Sequence, residues 1–364
     1  MSDALQKTIT LLLIIVLGLL LKNKFTSKEQ TNGLKEIILS VALPATIFIS
    51  LMKIEIDSTM IVIPVLMLVF NIILYLLTPL SFTLFGIDKD SQTGRTMMML
   101  IPSLAPGLSC FPFIAEFLGD KSLAIAALAD VGNKIFVLIT LYIVALNMYL
   151  KNNNDQDTNT RSKVTSLLSS MFREPINILM IAALIMLSIG INYSTLPAVI
   201  TDLFNKTSAM MTPLVLLFIG LAVQLREGRK RTVASMLFFR AGISLLISSG
   251  MIFLLNINDT NTILLATVLP LSAVSFWPLA HISAFTAKED QKNLPKEKRT
   301  FDTELAVLLL AFSLPFSTLL ILGLLSSGTY FANLHHLIIS GFALLGMGAL
   351  PQIINKVYLS VSKA

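Results

Sequence analysis

Small polar side chains stand just ahead of prolines inside two otherwise apolar stretches. Ser109 and Cys110 precede Pro112 in IPSLAPGLSCFPF (101–113), and Ser272 and Ser275 precede Trp277 and Pro278 in LPLSAVSFWPLAH (269–281). A proline inside a membrane helix removes one backbone hydrogen bond and clashes with the preceding turn. Hydrocarbon holds no water for the freed carbonyls, so such a break survives only against protein or a wet cavity. A half-helix that restarts after the break aims its positive end into that cavity, where free N–H groups and nearby hydroxyls suit an anion. Ser109, Cys110, Pro112, Ser272, Ser275, Trp277 and Pro278 are therefore the candidate substrate-binding residues. The plainer reading, that small residues ease a close helix crossing, fits the serines equally well.

Few ionisable groups fall within the apolar runs. Glu116, one turn past Pro112, and His281, just past Pro278, hold matching places and are the candidates for binding and releasing a proton or coupling ion. Glu116 is followed closely by Gly119-Asp120-Lys121, so a position near a membrane face is the competing reading. Asp130 and Lys134 stand one turn apart in the acid-first order of a favourable i,i+4 pair. A lone charge at mid-membrane costs about 2.5–3.5 kcal/mol on insertion scales, so this pair reads as a structural brace. Arg240, in LFFRAGIS, either snorkels toward the neighbouring basic run or presents a positive charge to a cavity; snorkelling is the favoured expectation. There is no HExxH, GxSxG or Walker loop and no Cys/His cluster. No cofactor or metal is expected, and an enzyme is the minority reading.

These residues need apolar spans to hold them. The chain of 364 residues is 55% hydrophobic and 13% charged, with a mean hydropathy of +0.80, which places it among polytopic all-α membrane proteins. Its net charge of +6 does not point to nucleic acid, because the basic residues gather in short loops between apolar runs. The lone Cys110 excludes an internal disulfide. The first apolar run, Ile9 to Leu21, is followed by KNKFTSKEQ without a small-residue cleavage site, so a retained helix is expected. Ten runs approach the length needed to cross ~30 Å of hydrocarbon, near 5–21, 33–52, 59–85, 97–118, 122–149, 174–191, 195–225, 231–254, 262–286 and 303–326. An eleventh, 335–355, carries His335 and His336 and is shortened by Pro351, so a re-entrant or surface segment stays open there. Alternate loops hold most of the 27 Lys and Arg residues, while the opposite side has only Lys7, Lys53, Lys121 and Lys206. That bias predicts a cell-membrane protein with its N-terminus outside. Pro102 and Pro270 are offset along the chain by nearly the same span as Pro44 and Pro213. The chain is thereby divided into a five-helix repeat (1–150), a polar cytoplasmic linker (151–173), a second repeat (174–326) and a C-terminal extension (327–364). An odd number of spans per repeat inverts the second relative to the first, and paired broken helices point to a transporter's binding site.

The stretch EPINILMIAALIMLSIGINYSTLPAVITDLFNKTSAMMTPLVLLFIGLAVQL (174–225) resembles the auxin efflux carrier family of permeases, of the bile acid/arsenite/auxin-type transporter fold. NGLKEIILSVALPATIFISL (32–51), DVGNKIFVLITLY (130–142) and TELAVLLLAFS (303–313) are similar to it in the same order. The resemblance implies inverted five-helix repeats whose helices 4 and 9 are broken and cross. It implies transport of small organic anions, such as auxin in plants and dicarboxylates in bacteria. The expected partners are such an anion, a coupled proton or sodium ion, the lipid bilayer and, as an open possibility, a second copy of the chain. Where the family's fourth helix usually reads N-T-G-x-x-G-x-P, this chain reads APGLSCFP (105–112), keeping Gly107 and Pro112 but placing Ala105 at the asparagine. The asparagine usual in helix 9 is also missing from LPLSAVSFWP, so the polar ligands differ from the family's.

Overall fold

The computed structural model describes residues 3–25, 27–55, 60, 62–153, 160–222 and 230–361. The polar middle of the linker (154–159), most of the basic loop at 223–229 and the extreme C-terminus lie outside the described residues.

Helices account for nearly all the regular structure, and no strand occurs among the described residues. α1 (Asp3–Leu21) is followed by α2 (Lys28–Ile37), which starts in a capping box formed by Ser27 and Gln30. α2 runs through a wide π turn (Ile38–Ala42) into α3 (Leu43–Met52), where Pro44 sits in the first turn and needs no intrahelical donor. α4 (Val62–Leu77) and the short α5 (Leu80–Phe85) lead to α6 (Gln92–Leu100), capped by Ser91. After the first break come α7 (Pro106–Ser109) and α8 (Phe111–Ile135), a second π turn (Phe136–Thr140) and α9 (Leu141–Asn153). Gly119 inside α8 has φ 78°, a left-handed backbone that glycine adopts freely. The helix is kinked there.

The second part opens with α10 (Thr160–Arg173), bent by 66° from α11 (Pro175–Ser188). α12 (Ala198–Ala209) and α13 (Met211–Ala222) follow, then α14 (Lys230–Leu254). α15 (Thr260–Val268) ends in a 3₁₀ turn (Leu269–Leu271), and after the second break α16 (Phe276–Gln291) begins with Ser275 as its cap. α17 (Thr303–Ser326) and α18 (Leu334–Val361) complete the fold.

Among the described residues seven helical stretches are long and apolar enough to cross a bilayer, or eight if the bent α10–α11 pair forms one span. Hydropathy alone suggests ten or eleven, and the difference has a physical origin. The 43-residue stretch Phe111–Asn153 is one continuous helix by hydrogen bonding but turns at Gly119. Gln6–Leu21 and Thr260–Leu271 are apolar yet shorter than a full crossing, the latter because its span is broken. The eleventh segment is a long helix, and Pro351 lies within α18 rather than ending it. α18 packs lengthwise on α14. α4 and α8 approach so closely that a Cβ on Gly132 would lie 1.8 Å from the Pro64 carbonyl oxygen. Only glycine permits that contact.

Candidate crossing site

The two breaks meet. The Ala105 N–H donates to the Ala273 carbonyl at 2.8 Å, forming an isolated antiparallel bridge in an otherwise helical protein. Backbone freed from helices in a membrane must find partners within the protein, and serines supply them. The Ser109 hydroxyl donates to the Ala105 carbonyl at 2.7 Å and accepts from the Ala273 N–H at 2.8 Å. The Ser103 hydroxyl donates to the Leu100 carbonyl at 2.7 Å and accepts from the Ser275 N–H at 3.1 Å. Ser313 of α17 accepts from the Val274 N–H at 3.2 Å. Three consecutive N–H groups of the second break therefore end on serine oxygens.

The residues singled out from the sequence take different places in this arrangement. Ser109 is fully buried and its hydroxyl ties one break to the other. Ser272 is also fully buried, and its hydroxyl has no hydrogen-bond partner among the described residues. Cys110 is buried with its thiol 3.5 Å from the Val268 carbonyl. Pro112 and Pro278 are buried in the first turns of α8 and α16. Ser275 and Trp277 do line a cavity, with the Ser275 hydroxyl accepting from the Trp277 N–H at 3.3 Å. Arg240 does not snorkel. It is 1% exposed, and its Nε and Nη2 donate to the carbonyls of Ile101 and Ser103 at 2.8 and 2.9 Å. A guanidinium from α14 thus satisfies the end of α6, where the first break frees those carbonyls. Distance from the basic run in sequence misplaced it, because depth in the fold depends on what the side chain meets.

Beside the crossing lies a cavity of about 420 Å³, walled by both breaks, by α2, α8 and α17, and by the start of α11. Lys134 reaches Glu174 at 2.7 Å, the Asn177 amide oxygen at 3.0 Å and Asp130 at 3.7 Å. Asn133 donates to Asp130 at 2.9 Å and to the Leu104 carbonyl at 3.0 Å, and accepts from Asn71 at 3.1 Å. The Asp130–Lys134 pair read from spacing is thus the centre of a larger buried network that reaches the first break. Sequence reasoning missed Asn71, Asn133, Glu174 and Asn177; the faint signal was isolated polar residues in VFNIIL, DVGNK and EPIN. Lys35 also faces the cavity, with its ammonium 5.2 Å from the centre of the Phe276 ring. Among the described residues it makes no ion pair.

Glu116 and His281 are not brought together by any hydrogen bond. Glu116 is half-buried, and its backbone carbonyl accepts from Lys7 at 3.2 Å. His281 is buried, with Nε2 2.9 Å from the Val137 carbonyl of the π turn and the Tyr142 ring edge-on at 5.5 Å.

The profile of a family described as "Membrane transport protein" matches residues 3–281. A relative described as an uncharacterized transporter of Methanocaldococcus jannaschii is 25% identical over 225 residues, which cover 58% of this chain and 67% of that one.

Proposed function

The chain belongs to the membrane transport protein family, and from that premise we propose that it is a secondary transporter moving small organic anions by alternating access. It is a multi-pass membrane transporter and not an enzyme. The observation that carries the proposal is the direct crossing of two broken helices, bonded at Ala105 and Ala273, against a cavity of about 420 Å³. Broken helices beside a central cavity are where transporters place their substrate.

An anionic substrate is supported by Lys35, a cation on the cavity wall without a carboxylate partner among the described residues, since an ammonium suits a carboxylate or phosphate. Ser275 and Trp277 complete the same wall. For proton or sodium coupling, His281 against the cavity-lining Val137 is better placed than Glu116. In the proposed cycle α1–α3 and α11–α13 form the stationary part, and the elements carrying the breaks move against it as two inverted repeats. The gathering of basic residues in alternate loops supports an orientation with the N-terminus outside the cell membrane. Counterflow of labelled carboxylates in proteoliposomes tests this reading. Uptake driven by trapped unlabelled substrate is the expected result, whereas flux without counterflow would indicate a channel.

A further inference from the structure

A second concavity lies apart from the crossing, between α4, α8 and the elbow where α10 meets α11. It measures about 310 Å³ and is walled by Met60, Leu128, Met171, Phe172, Met180 and Leu184, with Asn177 its one polar lining residue among the described residues. Phe172 is 56% exposed, so the groove opens outward. In a bilayer the medium at such an opening is lipid. The helix above the groove has a distinct charge pattern. α10 reads TRSKVTSLLSSMFR, with three basic residues and no acidic one. Val164 and Leu167 pack on the core while Lys163 and Arg173 are exposed.

Arg173 follows groove-lining Phe172 directly and makes no hydrogen bond or ion pair among the described residues. The adjacent Glu174 does not neutralise it, because that carboxylate is held by Lys134 at 2.7 Å and lines the central cavity. We propose that this elbow binds an acidic phospholipid, with one acyl chain in the groove and the phosphate against Arg173. Lys163 lies nearly three helical turns away, about 15 Å along α10, and so adds attraction without touching the same phosphate. An apolar slot alone would accept any lipid; a guanidinium unpaired among the described residues, on a helix without acids, selects an anionic headgroup. Asn177 accepts a hydrogen bond from Lys134 at 3.0 Å, so the lipid would lie one side chain from the cavity network.

Native mass spectrometry of the purified full chain with phosphatidylglycerol and phosphatidylcholine of matched acyl chains tests this without any transport assay. A basic residue near an anionic surface contributes about 1 kcal/mol, or roughly fivefold in affinity. Wild type should retain phosphatidylglycerol preferentially. Arg173→Gln should weaken that lipid about fivefold, and adding Lys163→Gln should bring the loss to roughly 25-fold, with phosphatidylcholine unaffected. Ile181→Trp, which fills the groove, should weaken both lipids. Lys298→Gln, removing a charge elsewhere, should change neither. Equal retention of the two lipids by wild type, a loss in Arg173→Gln no greater than in Lys298→Gln, or undiminished binding by Ile181→Trp would each overturn the proposal.

Discussion

Replacing Arg240 with methionine keeps much of the side chain's length and removes the group that holds the first break. The guanidinium makes two bonds, to the carbonyls of Ile101 and Ser103 at 2.8 and 2.9 Å, from a residue 1% exposed. Hydrogen bonds from a charged donor contribute about 1.5–3 kcal/mol each, so losing both costs roughly 3–6 kcal/mol. Arg240 makes no ion pair among the described residues, so removing its charge also relieves an unpaired burial and offsets part of that cost. A net loss of about 2–4 kcal/mol in the stability of the crossing remains. The chain carries its own reporter, since Cys110 is the lone cysteine and is fully buried beside the crossing. A maleimide reaches it only when the crossing opens, so its labelling rate follows the local opening equilibrium. The methionine variant should label about 30- to 700-fold faster than wild type at the same pH. Arg240→Lys, keeping a donor but losing the planar fork, should fall between them. Labelling of Arg240→Met at the wild-type rate, in folded protein, would refute the role assigned to Arg240.

The buried network and the helix packing give further tests. Lys134→Met leaves Asp130 and Glu174 without their cation and should cost about 3–5 kcal/mol, read as a lowered unfolding temperature in detergent. Adding Asp130→Asn should recover part of that loss, and a double variant no more stable than the single one would contradict the pairing. Gly132→Ala, whose Cβ would meet the Pro64 carbonyl, should cost about 1–3 kcal/mol or more, while Gly323→Ala, with open space around it, should leave the unfolding temperature unchanged. Lys35→Gln should weaken anion binding by about 1.5–3 kcal/mol, roughly 10- to 150-fold, as judged by the concentration dependence of uptake. Unchanged affinity would place the anion elsewhere.

The breaks themselves were legible because proline leaves a local mark: Pro112 and Pro278 interrupt apolar runs in places where a continuous helix would have no use for them. Their partners left no such mark. Ser103 accepts from the N–H of Ser275 and Ser313 from that of Val274, contacts joining distant segments with no shared periodicity. For the same reason the sequence left Ser109 equally a substrate ligand or a small residue easing the crossing, with no sign that its hydroxyl bonds the backbone of both breaks. The Asp130–Lys134 pair was visible because i,i+4 spacing is local. Glu174 and Asn177 were not, since they arrive from across the α10–α11 elbow. Pro351 suggested a shortened segment, yet α18 continues past it to Val361, and nothing in its local sequence announces its packing along α14.

The most direct measurement is the accessibility of Ser275, on the cavity wall at the second break. Ser275→Cys in a Cys110→Ser background, in right-side-out and inside-out vesicles, should react with a membrane-impermeant thiol reagent from each side in turn. A substrate gradient should shift the balance between sides, and modification should block counterflow. Reaction from one side only under every gradient, or full counterflow after complete modification, would contradict alternating access through the crossing.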